Sequence, residues 1–381
     1  MPTFFEFFAG GGMVRAGLGK GWECLFANDF DAKKCRSYES NWRADDLLCE
    51  DIKSLSTNHL PGQADLAWGS FPCQDLSLAG SGAGLKGDRS GTFWPFWKLM
   101  TRLKDEGRPP PIIALENVCG MLTSHKGKDF QAISEAFASI GYNFGALVVD
   151  ASLFVPQSRP RLFLIGINSD LEVPLELRAD EPVGKYHPRA LVRAHGQLSD
   201  ELKSKWIWWN LPTPRKRKKA LIDVVEADPT DVKWHSEEET SKLLSMMSEV
   251  NLAKVRDAQA AGEKRVGAIY KRTRRDEFGR RVQRAEVRFD DLSGCLRTPA
   301  GGSSRQLLLF TDGDQIRSRL VSARETARLM GLPDSYRLPD SYNEAYHLTG
   351  DGVAVPVVRH LAKNIFEPML AFNERTRKLA A

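Results

Sequence analysis

TFFEFFAGGGMVRAGL, residues 3–18, runs an apolar strand into Ala9-Gly10-Gly11-Gly12 and then into a helix. Glycines there let the backbone pass close to a ligand. The helix that follows offers free N–H groups to a carboxylate or phosphate. The spacing is not the G-x-G-x-x-G of dinucleotide sites, so a nicotinamide enzyme is a remote reading. Residues 1–170 continue the alternation of apolar runs and amphipathic stretches, which predicts an α/β fold built on a βαβ sheet. Strands are expected at Thr3–Phe8, Glu23–Asn28, Leu66–Ser70, Ile112–Glu116, Asn143–Val149 and Arg161–Ile167. Helices such as Phe93–Glu106 and Gly127–Ile140 lie between them.

The 381 residues suffice for a large and a smaller domain, and the composition (42% hydrophobic, 27% charged) is that of a globular protein. No apolar run is long enough to span a bilayer. Glu6 and the glycines argue against a signal peptide at the N-terminus. Six cysteines without a C-x-x-C pair read as reduced thiols, hence an intracellular protein, and no metal site is expected. The net charge of +5 is a mild pointer to polyanions.

Beyond the glycine loop, the strand Glu23–Asn28 ends in Asp29 and Phe30. An acid at the end of the second strand suits ribose hydroxyls, and an adjacent aromatic can stack on adenine. Asp51-Ile52 adds an acceptor near the same sheet edge. Together they suggest an adenosine ligand lacking phosphates. GSFPCQDLSLAG, residues 69–80, then places Cys73 after Pro72 at the C-terminal end of a strand, the side where open sheets bind ligands. A catalytic thiol needs a cationic or dipolar setting. The next strand ends in Glu116-Asn117, and another is entered through Gln157-Ser158-Arg159-Pro160-Arg161. A lone cysteine is ordinarily a small buried hydrophobe; this company favours a nucleophile.

After Asp170 the chain becomes charged, with Trp206, Trp208 and Trp209 and two basic clusters, Arg215-Lys216-Arg217-Lys218-Lys219 and the stretch from Lys271 to Arg288. Either alone reads equally well as a solvated face; both together in one region point to phosphate contact. RTPAGGSSRQ (297–306) is a loop, and LVSARETARLMGLPDSY (320–336) a helix closed by Gly331 and Pro333. TGDGVAVPVVRHLAKNIF reads as a glycine turn, a short strand-like run and a helix that returns to the first domain.

These segments, in this order, resemble the DNA (cytosine-5) methyltransferase family. FAGGG with Gly17-Leu18 is similar to its S-adenosylmethionine loop, Asn28-Asp29-Phe30-Asp31 to its ribose and adenine position, and GSFPCQDLS to its nucleophile motif. SGTFW (90–94), Glu116-Asn117-Val118, QSRPR (157–161), Arg297-Thr298 with Gly301-Gly302, RETARLMGLPDSY and Gly350–Val353 match the remaining motifs. The match covers nearly the whole chain except roughly 171–290. The chain departs from the pattern in two places: the closing motif has Asp351 where an Asn is usual, and Gly11 and Met13 replace the commoner bulky-then-Gly order of the first loop.

The resemblance implies a Rossmann-like methyltransferase fold, a mixed and mostly parallel sheet with helices on both faces. It places a catalytic domain at 1–170 and 345–381 and a target-recognition domain at 171–344. It implies S-adenosylmethionine as cofactor and double-stranded DNA as substrate. Cys73 would be the covalent nucleophile. Glu116 would be a protonated carboxyl on ring nitrogen N3, its pKa raised by burial. Arg161 with Arg159 would hold the base carbonyl and Glu116, and Asn117 would orient the carboxyl environment. Cofactor contacts are expected from Phe8, Ala9, Gly10, Gly11, Gly12, Asp29, Phe30, Asp51, Ile52, Pro72, Phe93, Asp351 and Gly352. DNA contacts are expected from Gln74, Ser77, Gln157, Arg215, Lys216, Arg217 and Arg297, with Asp75–Gly91 as a lid. A monomeric, cytoplasmic, bacterial or phage-encoded enzyme is implied, serving restriction-modification (with a cognate restriction endonuclease acting on the same site), phage DNA protection or epigenetic marking. A tRNA cytosine methyltransferase and a non-catalytic DNA-binding relative are the alternatives.

Overall fold

In the computed structural model, which describes residues 1–72, 92–276, 278–298 and 305–380, the first half of the chain builds a seven-stranded sheet. Its strands are β1 (Thr3–Phe7), β2 (Glu23–Asp29), β3 (Leu47–Cys49), β4 (Leu66–Gly69), β5 (Ile112–Val118), β6 (Tyr142–Asp150) and β7 (Pro160–Asn168), in the order β3-β2-β1-β4-β5-β7-β6. β1 to β5 pair in parallel, while β7 runs antiparallel to both β5 and β6. This is a mixed, mostly parallel sheet of the Rossmann-like methyltransferase type. The start of β7 therefore lies at the same edge as the ends of β4 and β5.

The strands are apolar on both faces, as a sheet covered on both sides requires. Phe7 meets Phe96 of helix α1 (Phe93–Asp105) edge-on at 5.1 Å, while Trp68 on the opposite face lies 6.4 Å from Phe366. Phe93, Phe96, Trp97, Met100 and Leu103 recur at helical spacing on α1 and are buried. Pro95 is tolerated in its first turn, where no intrahelical N–H is needed. β3 was not expected from sequence: it is a three-residue edge strand, too short to show a period. Asn28 holds its end, donating Nδ2 to the carbonyls of Leu48 and Glu50.

The chain divides into two compact units, residues 1–150, 160–214 and 357–381 in one, and 151–159 and 215–356 in the other. These cuts differ from those expected at 170 and 345. Residues 205–209 bond along β6, with Phe144 N–H donating to Lys205 and Ile207 N–H to Phe144, so that stretch belongs with the first sheet. Short strands β8 (Arg178–Ala179) and β9 (Trp208–Trp209) pair there too.

The second unit carries an antiparallel sheet, β11-β10-β12-β13, made of β10 (Arg265–Arg275), β11 (Arg281–Arg288), β12 (Leu307–Asp312) and β13 (Gln315–Leu320). Leu243, Met247 and Val255 cover one face of it, over Ile269, Val287, Leu307 and Leu309. One expectation is corrected here. The run after Gly352 is not a strand: Tyr342–Asp351 and Val355–Leu361 are helices. Pro356 fits the first turn of the latter, and Val357, Val358 and Leu361 bury one helical face.

Candidate active site

β4 ends at Gly69 and leads through Ser70, Phe71 and Pro72 to Cys73. Cys73, Gln74, Ser77 and the expected lid lie outside the described residues, so the site is read from what surrounds their attachment point. Phe71 is buried, with its ring 5.3 Å from that of Phe93. Asn117, buried near the end of β5, donates Nδ2 to the Phe71 carbonyl at 3.2 Å. The strand that carries the candidate acid thus grips the chain two residues before the candidate nucleophile.

Glu116 precedes Asn117 on β5 and is also buried. The antiparallel register sets Arg161 of β7 opposite Val118, and its Nε lies 3.0 Å from Glu116 Oε1. The two side chains keep 8% (Glu116) and 16% (Arg161) of their surface exposed, so this ion pair borders solvent. Two other thiols in this unit, Cys119 and Cys24, are poor nucleophiles. Burial pushes Cys119 up to about 11 although the Arg161 guanidinium opposes it, and pushes Cys24 up to about 12.

The glycine loop stands at the end of β1. Phe8 adopts φ 59°, a strained conformation for a residue with a side chain, and Gly10 follows at φ 56° with open space where a Cβ would point. At Gly12 a Cβ would strike Trp42 Nε1 at 2.2 Å, so this position must be glycine for Trp42 to pack. Gly10 donates its N–H to Asp29 Oδ2 at 2.8 Å, and Asp31 donates to Oδ1 at 2.9 Å. Burial raises the Asp29 carboxyl above the ordinary aspartate range, against the pull of Lys34 and these N–H groups. Beside it Phe30 is 68% exposed, an apolar ring left in water. Ala9, Gly11, Gly12 and Ile52 are buried behind this edge, and Asp51 is exposed, its Oδ1 accepting from Lys53 N–H. Open backbone at Gly10, a fixed carboxylate and an exposed aromatic ring fit a ribosyl-adenine ligand such as S-adenosylmethionine. Phe93, expected against the cofactor, has no exposed surface and stacks on Trp97; Pro72 is half-buried. The exposed aromatic of that helix start is Trp94.

The remaining expected residues fall in the second unit. Gln157 is fully buried, donating Nε2 to Leu329 and accepting from Leu296 N–H, so it braces the unit rather than offering itself to DNA. Arg159, also buried, donates to the carbonyls of Leu296, Gly350 and Gly352 and locks those two segments together. Asp351 accepts from the Thr298 hydroxyl beside half-buried Gly352. Arg215, Lys216 and Arg297 are exposed, and Arg217 is half-buried against the carbonyls of Lys219 and Asp291. Among the described residues no group of His, Cys, Asp or Glu is placed to hold a metal, and no helix is long and apolar enough to cross a membrane.

Sequence reasoning gave no role to Glu6, a polar residue inside the apolar strand β1 and fully buried there, although that contrast was visible. Burial pushes the Glu6 carboxyl up to about 8 despite Arg15 nearby.

A family model for C-5 cytosine-specific DNA methylases matches residues 2–367. The chain is 24% identical to Type II methyltransferase M.Bsp6I of Bacillus sp. (strain RFL6), over 97% of this chain and 100% of that one. It is 26% identical to Type II methyltransferase M.HpaII of Haemophilus parainfluenzae, over 96% and 90%. Among solved structures, the S. pombe Dnmt2 methyltransferase superposes with a TM-score of 0.60 at 18% identity, over 97% of this chain and 99% of that one. A mutant of Spodoptera frugiperda DNMT2 superposes with a TM-score of 0.63 at 17% identity, over 96% and 100%. With a match of this extent behind the strand-end geometry, the chain belongs to the C-5 cytosine-specific DNA methylase family.

Proposed function

We propose that this chain methylates carbon 5 of cytosine in duplex DNA through a covalent adduct on Cys73. The observation that carries this reading is the edge built by Glu116, Arg161 and Asn117, with Asn117 bonded to the carbonyl two residues before Cys73. S-adenosylmethionine, when bound, would supply an electrophilic methyl group and leave as the thioether. Gly10, Asp29 and Phe30 would hold its ribosyl-adenine end.

Carbon 5 of cytosine is too weak a nucleophile to take that methyl unaided. Cys73 Sγ, as thiolate, would bond to carbon 6 and push an electron pair toward carbon 5 and N3. Glu116, paired as carboxylate with Arg161 in the free chain, would take up a proton as the base binds and donate it to N3, stabilising the adduct. Arg161 would hold Glu116 and the base carbonyl. Once carbon 5 has gained the methyl it must lose its proton to a base, a role an ordered water would fill. The S–C6 bond then breaks and returns the thiolate. The cytosine must leave the duplex stack to reach this edge, and the second unit would recognise the site around it.

Duplex DNA is favoured over tRNA by the length and basic charge of residues 215–288, and the curated relatives named above are Type II methyltransferases. A restriction-modification setting in a bacterium or phage follows from the same likeness. Methyl transfer from labelled S-adenosylmethionine to duplex DNA and to tRNA, assayed side by side with base-resolution sequencing, tests this. Transfer to carbon 5 in DNA is expected. Transfer to tRNA alone would contradict the reading.

A further inference from the structure

β10 is longer than the sheet it belongs to. Residues Arg265–Ile269 pair with both β12 and β11 or with β12 alone, but from Tyr270 to Arg275 the ladder partner among the described residues is β11 alone. Among the described residues the two strands therefore leave the sheet as a two-stranded ribbon, turned at Phe278-Gly279. The last anchor is Ala285, whose N–H donates to the Met246 carbonyl. Beyond it Arg272, Thr273, Arg274, Arg275, Arg281 and Arg284 are all exposed.

An isolated two-stranded ribbon is marginal in water, and this one is loaded with like charge. Between Lys271 and Arg284 the sequence holds seven basic and two acidic residues, a surplus equal to that of the whole chain. Arg272 stands directly opposite Arg284, and Arg275 directly opposite Arg281. Residues opposite each other share a face, and successive pairs alternate faces. One arginine pair thus lies on each side of the ribbon. Like charges directly opposite destabilise a hairpin. Among the described residues the carboxylates relieve only part of this: Glu286 binds Arg274 and stands 3.5 Å from Arg272, and Asp276 binds Arg280. Among the described residues Arg281 and Arg284 form no ion pair. The tip is Phe278, 72% exposed, with the Arg280 guanidinium 5.0 Å from its ring centre.

A surface made to lie on one polyanionic wall would concentrate its charge on one face. Charge on both faces suits a ribbon flanked by phosphates on both sides. The DNA major groove, about 12 Å wide, admits a two-stranded ribbon between its two backbones. We propose that the β10–β11 ribbon enters a groove of duplex DNA, its two cross-strand arginine pairs facing opposite phosphate backbones and Phe278 at its tip. This rests on the reading of the chain as a DNA methyltransferase and assigns part of its DNA contact.

The test measures binding of the full chain to duplex DNA over a salt series. Each phosphate contact contributes about 0.9 to the slope of log affinity against log salt. Replacing Arg272, Arg275, Arg281 and Arg284 by Gln should lower that slope by about 3 and weaken binding on the order of 100-fold near physiological salt. Thermal unfolding should show the variant as stable as the parent or more so, because two repulsive pairs are gone. A variant with the same charge removed elsewhere (Arg193, Arg375, Arg377 and Lys378 to Gln) should keep the parent slope within about 1. An unchanged slope in the ribbon variant, or an equal fall in both variants, would overturn the proposal. Wild-type protein that binds DNA through the ribbon yet methylates none would instead sink the functional reading and leave the ribbon standing.

Discussion

Two arginine–carboxylate pairs, one in each unit, show how the same chemistry serves different ends. In the second unit Arg319 and Glu325 are sealed at 0% and 1% exposure and joined by both guanidinium Nη atoms, at 2.8 and 2.6 Å. Glu325 also accepts the N–H groups of Ser322 and Glu226, which fastens the capping box of helix Ala323–Leu329 to a neighbouring loop. In the first unit Arg161 meets Glu116 through Nε at 3.0 Å and both side chains keep contact with solvent. A closed bidentate pair rigidifies; a pair at the rim of a strand edge can meet a ligand. Glu6 completes the series: it is fully buried, but Arg15 forms its ion pair with Asp46 instead.

The sharpest way to break this contrast is to neutralise each acid in turn. Glu325→Gln should cost about 3–5 kcal/mol of stability, because it leaves Arg319 buried without its counter-charge. Glu116→Gln should unfold close to the parent temperature yet lower kcat by about 10²–10⁴-fold. Unfolding curves and single-turnover methyl transfer measure the two. Loss of stability in both variants would erase the distinction.

Asp29→Ala removes the brace on Gly10 and the acceptor proposed for ribose. An increase of about 10–100-fold in KM for S-adenosylmethionine, with kcat at saturation nearly kept, is expected from losing a hydrogen bond to a charged group. Steady-state kinetics at varied cofactor concentration decides between that split and a plain loss of rate.

Glu6 makes a prediction in pH. Its folded pKa, pushed up to about 8, lies above the unfolded value near 4.5, so the folded chain holds a proton that the unfolded chain releases. Stability from this group is complete below about pH 4.5, falls as pH rises toward 8 and is level above it. Glu6→Gln should lack this decline, so that the variant gains about 1–2 kcal/mol on the parent between pH 6 and pH 8, within the limit of ~1.4 kcal/mol per pH unit. Thermal unfolding at the two pH values checks it. The smallest effect is expected for Asn117→Ala, about 1 kcal/mol from one hydrogen bond, read as a roughly 5–10-fold slower methyl transfer.

Much of this was legible in sequence, and the exceptions have physical causes. The strand–loop–helix opening and the long apolar strands announce themselves because both faces of the sheet are covered. β3 is too short to carry a period, and the Pro356 run is equally apolar as strand or as helix start. Arg161 stands at the head of its strand, and it meets the end of β5 only because β7 runs antiparallel; pairing direction is a tertiary property that no local pattern encodes. Gln157 and Phe93 carried the right motif positions, but burial depends on what packs over them, and in this fold both are covered. The ribbon's charge was visible as composition, whereas its distribution over two faces needed the cross-strand register.

The central claim is that Cys73 forms a covalent bond to cytosine at the edge held by Glu116, Arg161 and Asn117. Duplex DNA carrying 5-fluorocytosine at the methylated position tests it most directly, because fluorine cannot leave as the proton does and the adduct is arrested. Wild-type protein with S-adenosylmethionine should yield a complex that survives denaturation, with the DNA attached to the peptide containing Cys73, and Cys73→Ala should yield none. A trapped complex of equal yield in Cys73→Ala, or methylated DNA from wild-type protein with no trapped adduct, would contradict the account.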